Sequence, residues 1–290
     1  MHDAAVLFFL IYRTEPDKII TGVRKGAILQ FCSFASGSSG NCYLIKDHET
    51  AILIDAGISG KRILEGLDQT NTPREMVRAI LVTHEHIDHV KSLPVLTRRI
   101  PQLSVYANEA TWDHIERPVP EERKAFFTTG EEFRVGDLII RPFPVSHDAA
   151  EPVGFSVVSG QRKISICTDA GYISEDIIAE ISDADLLLLE ANHEKEMLLY
   201  GKYPYPLKQR ILGDEGHLSN VHCGECLCRI VQENPKRRRV LLGHLSRENN
   251  TPEVAMQAIL NTLEEERIFT GDELKIEVAM RDQISDIYEL

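Results

Sequence analysis

The chain contains a series of short apolar segments that each end in a histidine or a carboxylate. Segments of about four to eight residues that are rich in Val, Ile and Leu are typical of buried β-strands. The predicted strands lie at residues 28–34, 41–47, 51–57, 79–84, 104–108, 137–147, 185–192 and 239–246, with a further pair within 154–171. The polar residues that close them include Asp55, His84, His147, Asp169, Glu190 and His244. If these strands end at one edge of a sheet, the side chains converge on a single site.

Amphipathic segments alternate with the strands. They predict helices over residues 59–69, 90–100, 109–116, 174–181, 219–233 and 252–266. The last of these begins well, because Thr251 is a good N-cap and Pro252 suits the first helical position. Two groups of strands with interspersed helices predict an α/β protein, and specifically a layered αββα sandwich.

The length of 290 residues is sufficient for a full hydrophobic core. No linker rich in Pro, Gly or Ser divides the sequence, so we expect a single domain over residues 27–290. Residues 1–26 are predicted to be an N-terminal extension whose role the sequence does not indicate. The apolar run within it, at 5–12, is far shorter than the roughly 20 residues that span a bilayer. We therefore expect a cytoplasmic protein that has no membrane partner.

The net charge of −13 argues against a protein that coats nucleic acid non-specifically. It does not argue against an enzyme that acts on nucleic acid, because bound divalent cations can supply positive charge locally. The dense basic run KRRR at 236–239 fits a solvated loop before a strand better than a DNA-binding patch.

Six cysteines in 290 residues suit a reducing compartment better than a disulfide framework. Three of them, Cys223, Cys226 and Cys228, form the sequence CGECLC. A zinc knuckle is one interpretation of this spacing. A helix is favoured, because Ser219 is a good N-cap and no second cysteine pair completes a four-ligand site.

The segment THEHIDH at 83–89 has the highest density of potential metal ligands in the chain. In a loop after a strand, His84 and His86 can face one metal ion while Asp88 and His89 face a second. Neutral imidazoles and carboxylates are good metal ligands, and they are poor material for a core.

His147, Asp169 and His244 follow this motif as further candidate ligands, and Asp169 is suited to bridge two ions. A set of nitrogen and oxygen donors without cysteine fits two divalent ions of intermediate hardness, Zn²⁺ or Mn²⁺. Two such ions can share a hydroxide nucleophile and stabilise charge that develops on a carbonyl or phosphoryl oxygen. The sequence therefore predicts a metal-dependent hydrolase.

The segment ASGSSGN at 35–41 places small residues between two strands. Its free backbone N–H groups would suit a phosphate, although a tight hairpin explains the same composition. The candidate substrate contacts in this segment are Ser36, Ser38, Ser39 and Asn41.

THEHIDH, with Asp55 before it and His147, Asp169 and His244 after it, resembles the metallo-β-lactamase superfamily over about residues 28–280. The resemblance implies an αββα sandwich with a dinuclear metal site at its edge. It also implies ligand roles: His84, His86 and His147 for one ion, Asp88, His89 and His244 for the other, Asp169 between them, and Asp55 orienting the metal loop from behind.

LLLEANHE at 187–194 and GHLSN at 216–220 resemble the tRNA 3′-processing endonucleases of this fold. There a glutamate pairs with a histidine that protonates the leaving oxygen, which implies these roles for Glu190 and His217. The alternative for His217 is a loop residue before a helix cap. His193 is a candidate substrate contact.

The full motif set, which also includes FASGSSGN, TDAGY and GHLSRENN, resembles the YycJ/WalJ (VicX) group of this superfamily. The resemblance implies a 5′-to-3′ exonuclease on double-stranded DNA, in which Asp88 belongs to the catalytic metal site. Only 74 residues separate Asp169 from His244, which leaves no room for a large inserted clamp domain. The grip on DNA would then come from the metal site, the serine-rich turn and nearby basic side chains, namely Lys61, Arg62, Lys91 and Arg247.

Two alternatives remain open at this point. The same site would suit a hydrolase of a small cyclic phosphodiester, thioester or lactone, which a closed and narrow pocket would favour. A non-catalytic regulatory partner of a signalling system is the other. The complete ligand set argues against it, since a site without function would be expected to have lost members.

Overall fold

A computed structural model describes residues 28–290. The predicted extension at residues 1–26 therefore lies outside the described residues. The first sheet has seven strands, of which six follow one another in the chain: β1 (Gln30–Ala35), β2 (Cys42–Lys46), β3 (Ala51–Ile54), β4 (Val77–Leu81), β5 (Ser104–Ala107) and β6 (Lys124–Phe126). From β3 to β6 the strands run parallel to one another.

The second sheet follows in the sequence and contains β7 (Phe133–Val135), β8 (Leu138–Pro144), β9 (Val153–Ser159), β10 (Arg162–Cys167), β11 (Leu186–Glu190), β12 (Arg238–Gly243) and β13 (Leu274–Val278). A short strand β14 (Tyr288–Glu289) then returns to the first sheet and pairs with β1. From β10 to β13 the strands are parallel, and β8 has the same direction because it is antiparallel to β9.

The helices among residues 28–290 are α1 (Gly60–Gln69), α2 (Ile87–Val90), α3 (Leu93–Arg99), α4 (Glu109–His114), α5 (Glu175–Ile181), α6 (Lys195–Tyr200), α7 (Tyr205–Leu212), α8 (Asn220–Glu233) and α9 (Pro252–Glu265), with 3₁₀ turns at Arg74–Met76 and Glu121–Arg123. Of these, α1, α3, α4, α5, α8 and α9 cover the outer faces of the two sheets. The helix predicted at 90–100 is divided into α2 and α3. The side chain of Ser92, between them, donates to the Ile58 carbonyl.

Three apolar layers hold these elements together. The central layer packs strand residues of both sheets face to face, for example Ile54 and Leu81 against Phe155 and Leu188. One outer layer joins the first sheet to α1, α3 and α4, and the other joins the second sheet to α5, α8 and α9. Side chains buried on both faces explain why these strands read as continuous apolar runs. The predicted αββα sandwich is confirmed.

Two local predictions have different outcomes. The CGECLC segment lies within α8, as predicted, and its three cysteines are buried free thiols. The KRRR run is only in part a solvated loop, because β12 begins at Arg238. This side chain is buried and donates to the Ser182 carbonyl at 2.8 Å. Among residues 28–290, no helix is long and apolar enough to cross a membrane.

Candidate metal centre

The candidate ligands lie where strands of both sheets end. Because β3, β4, β8, β10, β11 and β12 all point the same way within their sheets, their carboxyl ends meet at one edge of the sandwich. The residues that follow these ends are Asp55, His84, His147, Asp169 and His244, and Glu190 is the last residue of β11. The edge of a rigid sandwich fixes their relative positions.

Three of these residues adopt a backbone conformation that non-glycine residues rarely adopt. The φ angles of Asp55, Asp169 and His244 are 60°, 56° and 55°. Left-handed backbone at such residues costs about 1–3 kcal/mol each and persists only where the surroundings hold it. All three lie within two residues of the end of a strand that points to the cluster, so the unusual conformation coincides with the candidate site.

Several overlapping sets of ligand atoms lie close together at the cluster, among them two that share no residue. In the first, atoms of His84, His86 and His147 lie within 4.8 Å of one another. In the second, atoms of Asp88, His89 and His244 satisfy the same limit. The groups match the two sets of residues that the family resemblance implies for two ions.

Asp169 lies between the two groups. Its carboxylate is 3.6 Å from Nε2 of His89, 3.3 Å from Nδ1 of His244 and 3.9 Å from Nε2 of His147. The side chain is 3% exposed. This position suits a carboxylate that bridges two ions.

Three of the histidines are oriented by hydrogen bonds through the same ring nitrogen. Nδ1 of His89 donates to Asp55 Oδ2 at 2.8 Å, and Nδ1 of His244 donates to Glu190 Oε1 at 2.8 Å. Nδ1 of His147 donates to the Gly216 carbonyl at 3.1 Å. In each ring Nε2 is then the nitrogen available to a metal ion, which is the usual arrangement of metal-binding histidines.

Two buried atoms of the cluster require a partner that the protein does not provide. Oδ2 of Asp169 and Nε2 of His244 have no hydrogen-bond partner within residues 28–290. Burial of a carboxylate oxygen without a compensating charge or hydrogen bond is costly. A divalent cation between the two groups would satisfy both atoms, so the residues present fit a metal centre.

The electrostatics of the cluster support the same conclusion. Burial lowers the pKa of His89, but the carboxylates of Asp55, Asp88 and Asp169 raise it to about 10. Burial likewise opposes the charge on His244, whose pKa Asp169 and Glu190 raise to about 9. Bound cations would replace the positive charge that the protonated imidazoles otherwise supply.

The loop that carries THEHIDH packs against the serine-rich turn at 35–41 and against the residues that follow β3. The backbone N–H of Asn41 donates to the Asp88 carbonyl at 2.8 Å, and that of Ala56 donates to the His89 carbonyl at 2.7 Å. A Cβ atom on Gly57 would overlap the Asp88 carbonyl oxygen. Glycine is therefore required there for the two loops to pack.

Glu190 and His217 lie beside the second ligand group. Nδ1 of His217 donates to Glu190 Oε1 at 2.9 Å, and the backbone N–H groups of Ala170 and Leu218 donate to Oε2. Burial raises the pKa of Glu190, but the charges and hydrogen bonds of His217 and His244 hold it at about 2. The carboxylate is therefore ionised at neutral pH and fixes the orientation of both imidazoles.

The chain matches the family model described as "Beta-lactamase superfamily domain" over residues 50–245. It belongs to the metallo-β-lactamase superfamily. Over 251 residues it is 38% identical to exodeoxyribonuclease YycJ of Bacillus anthracis, a match that covers 86% of this chain and 94% of that one. It is 37% identical over 266 residues to exodeoxyribonuclease WalJ of Streptococcus pneumoniae, covering 90% and 98%.

The fold comparison agrees with this assignment. The solved structure of the metallo-β-lactamase fold protein YhfI from Bacillus subtilis superposes with a TM-score of 0.66. It is 16% identical in sequence and covers 91% of this chain and 100% of that one, so it shows the shared fold alone. The predicted membership of the superfamily and of its YycJ/WalJ group, and the prediction of a hydrolase enzyme, are confirmed. A protein of this superfamily is expected to bind divalent metal.

The predicted substrate contacts in the serine-rich turn require a correction. Ser36 and Asn41 are fully buried. The Ser36 hydroxyl accepts from the backbone N–H of His244 at 2.8 Å. The side-chain amide nitrogen of Asn41 lies 3.1 Å from Nε2 of His89. Ser36 supports His244 through its backbone, and Asn41 contacts the metal-facing nitrogen of His89 inside the cluster, whereas Ser38 and Ser39 are exposed.

His193 also differs from its prediction as a substrate contact. The residue is 1% exposed, and burial lowers its pKa to about 4. Neither ring nitrogen has a hydrogen-bond partner within the described part of the chain. A neutral, enclosed imidazole cannot touch a polymer that binds at the surface.

Sequence reasoning missed two residues of the site. The Thr83 hydroxyl donates to Asp55 Oδ2 at 2.9 Å and lies 3.0 Å from Nδ1 of His84, so it joins the supporting aspartate to a ligand. Asp148 lies 3.4 Å from Nε2 of His147 and is paired with Arg210. Both are sequence neighbours of predicted ligands, which is the signal that could have found them.

Proposed function

We propose that the protein is a metal-dependent exodeoxyribonuclease that degrades double-stranded DNA in the 5′-to-3′ direction. The observation that carries the proposal is full-length similarity to two chains named exodeoxyribonucleases, at 37–38% identity over 94–98% of their length. The 5′-to-3′ direction rests on resemblance to the YycJ/WalJ group. We also propose that residues 27–290 act as one domain.

Two divalent ions, Zn²⁺ or Mn²⁺, would be held by the seven candidate ligands: His84, His86 and His147 for one, Asp88, His89 and His244 for the other, and Asp169 between them. When bound, such ions lower the pKa of water and offset negative charge on a phosphoryl group. Asp55 would keep the His89 ring in its binding orientation through the bond to Nδ1.

His217 would donate the proton that the leaving oxygen of the phosphodiester requires. Its Nδ1 is held by Glu190, so Nε2 is the atom that carries the proton to the substrate. Glu190 is ionised at neutral pH and accepts the hydrogen bond from Nδ1, which holds the His217 ring in one orientation. The other carboxylate oxygen of Glu190, Oε2, accepts from the backbone N–H groups of Ala170 and Leu218. The carboxylate is thereby fixed, and so is the direction of the His217 ring that it holds.

Part of the metal-ligand cluster is exposed to solvent, which supports a polymeric substrate rather than a small molecule that is enclosed in a pocket. The side chains of Asp88 and His217 are 23% and 20% exposed, while the residues behind them are buried. A phosphodiester in a DNA strand can therefore approach from the surface. Ser38 and Ser39 remain candidate contacts for a phosphate at the rim.

The proposal is tested by digestion of duplex DNA labelled at either the 5′ or the 3′ end. Protein reconstituted separately with Mn²⁺ and with Zn²⁺ is expected to release labelled mononucleotides early from the 5′ end only. Early release from the 3′ end would contradict the proposed direction. Absence of DNA cleavage with bound metal confirmed, together with hydrolysis of a small phosphodiester, would contradict the nuclease and favour a small-molecule hydrolase.

A further inference from the structure

The segment at residues 199–210, LYGKYPYPLKQR, carries two unusually exposed aromatic rings; we call it the tyrosine segment. Tyr200 is 85% exposed, the highest value for a large hydrophobic side chain in the region 28–290, and Tyr205 is 72% exposed. Rings of this size are normally at least half covered. Two of them within six residues indicate a surface that another molecule covers.

The tyrosine segment borders the metal-ligand cluster. Tyr203, Leu207 and Arg210 line a cavity of about 140 Å³ together with His147 and His217. The cavity thus connects the first ligand group and the proposed proton donor with the segment. Tyr200 and Tyr205 lie three residues before and two residues after Tyr203, so the exposed rings belong to the same segment that forms this wall.

The segment is fixed in shape. Nζ of Lys208 donates to the carbonyls of Leu199 and Gly201 at 2.8 Å each, which closes the turn between α6 and α7. Leu198 is fully buried beneath it. A Cβ atom on Gly201 would lie 2.8 Å from the Asn249 side chain, so the turn packs closely against the body of the protein. The exposed rings are therefore presented by a structured turn.

Basic side chains accompany the rings, although the chain as a whole has a net charge of −13. Lys202 is exposed between the two tyrosines, and Arg210, which is paired with Asp148 through Nε, is also exposed. Arg247, which follows Ser246 of the cavity wall, is exposed and lies close to Arg281. Alternation of aromatic and basic residues is the pattern that binds single-stranded nucleic acid, in which bases stack on rings and phosphates meet cations.

We propose that Tyr200 and Tyr205, with Lys202 between them, form a stacking platform for unpaired nucleotides of the DNA strand that enters the metal site. This inference rests on the proposed function and specifies how the substrate is held. Bases inside a duplex already stack on their neighbours, so rings on the protein surface stack on unpaired bases where the duplex end is open. Duplexes with a single-stranded 5′ overhang should then be better substrates than blunt ones.

The test compares the Tyr200→Ala/Tyr205→Ala double variant with two controls. Tyr200→Phe/Tyr205→Phe keeps the stacking faces, and Phe269→Ala removes a ring that is 71% exposed outside the segment. The kinetic readouts are kcat and KM for a duplex with a 5′ overhang of several nucleotides, and the rate on bis(p-nitrophenyl) phosphate. The binding readout is the Kd of the labelled overhang duplex by fluorescence anisotropy.

The double alanine variant is expected to raise KM and Kd for the overhang duplex by about tenfold or more, with kcat changed by less than about twofold. Its rate on the small substrate should equal that of the wild type, and the preference for overhangs over blunt ends should disappear. Both controls should behave as the wild type. An unchanged KM and Kd in the double alanine variant would overturn the platform and would support a protein partner or a second copy on this surface.

The outcome for the platform is distinguishable from that for the nuclease. If the wild type binds the overhang duplex through the tyrosines but does not cut it, the platform stands and the proposed function fails. If the wild type cuts DNA and the double variant does so with the same KM, the proposed function stands and the platform fails.

Discussion

The Asp88→Ala variant is expected to lose about a thousandfold or more in kcat on duplex DNA while its fold is retained. The carboxylate belongs to the second ligand group, and its loss removes one ligand from one of two ions that act together. The fold should survive because the supporting contact at this position is made by the backbone: the Asp88 carbonyl accepts from the Asn41 N–H. That hydrogen bond does not depend on the side chain.

Asp88 is a cleaner test than His89, whose loss should also abolish cleavage. His89 is fully buried and bonded to Asp55, so its removal leaves a buried carboxylate without its partner. The measurement is kcat at saturating metal, with thermal unfolding to monitor the fold. Asp272→Ala is the matched control, because this exposed aspartate precedes β13, at the end of the sheet opposite the cluster. Wild-type activity in folded Asp88→Ala protein would refute the role of this ligand.

The second large effect concerns the proton donor. His217→Ala is expected to lower kcat on DNA by about 10²- to 10⁴-fold, which is the usual contribution of general acid catalysis. The loss should be much smaller on bis(p-nitrophenyl) phosphate, because a nitrophenolate leaves without a proton. Glu190→Gln should give an effect in the same direction, since it removes the carboxylate that accepts from Nδ1 and orients the His217 ring.

Comparison of the rates on DNA and on bis(p-nitrophenyl) phosphate distinguishes a general acid at His217 from a residue that only supports the local structure. If His217 were only a loop residue before the N-cap of α8, its replacement would affect both substrates equally. Equal losses on DNA and on the small phosphodiester would therefore contradict its assignment as the general acid. The ratio of the two rates is the decisive quantity, since it cancels any change in the amount of active protein.

Most strands that build the site could be predicted because they are buried on both faces, as β3 and β11 are along their whole length, and such strands form uninterrupted apolar runs in the sequence. Elements with weaker patterns were missed. α6 and α7 lie in a stretch with Gly201, Pro204 and Pro206, which reads as a loop, although Pro206 stands in the first turn of α7. β6 and β7 have three residues each, too few for a periodicity to be recognised.

The candidate ligands could be identified because histidines and aspartates at strand ends have no role in a core. The sequence could not reveal which neighbouring polar residues are accessible. Ser36 and Asn41 resemble Ser38 and Ser39 in composition and context, yet a hydrogen bond to the His244 backbone draws Ser36 inward while the tip of the turn stays in solvent. The left-handed conformation of Asp55, Asp169 and His244 has no signature in the sequence, because none of the three is a glycine.

The most direct test of the account is the number of metal ions bound per chain after reconstitution, measured by inductively coupled plasma mass spectrometry. The wild type and Asp272→Ala are predicted to hold two ions per chain. Asp88→Ala is predicted to hold fewer, because one ligand group is incomplete. A wild type that retains no metal, or an Asp88→Ala variant with the same metal content as the wild type, would contradict the two-ion site on which the proposed chemistry depends.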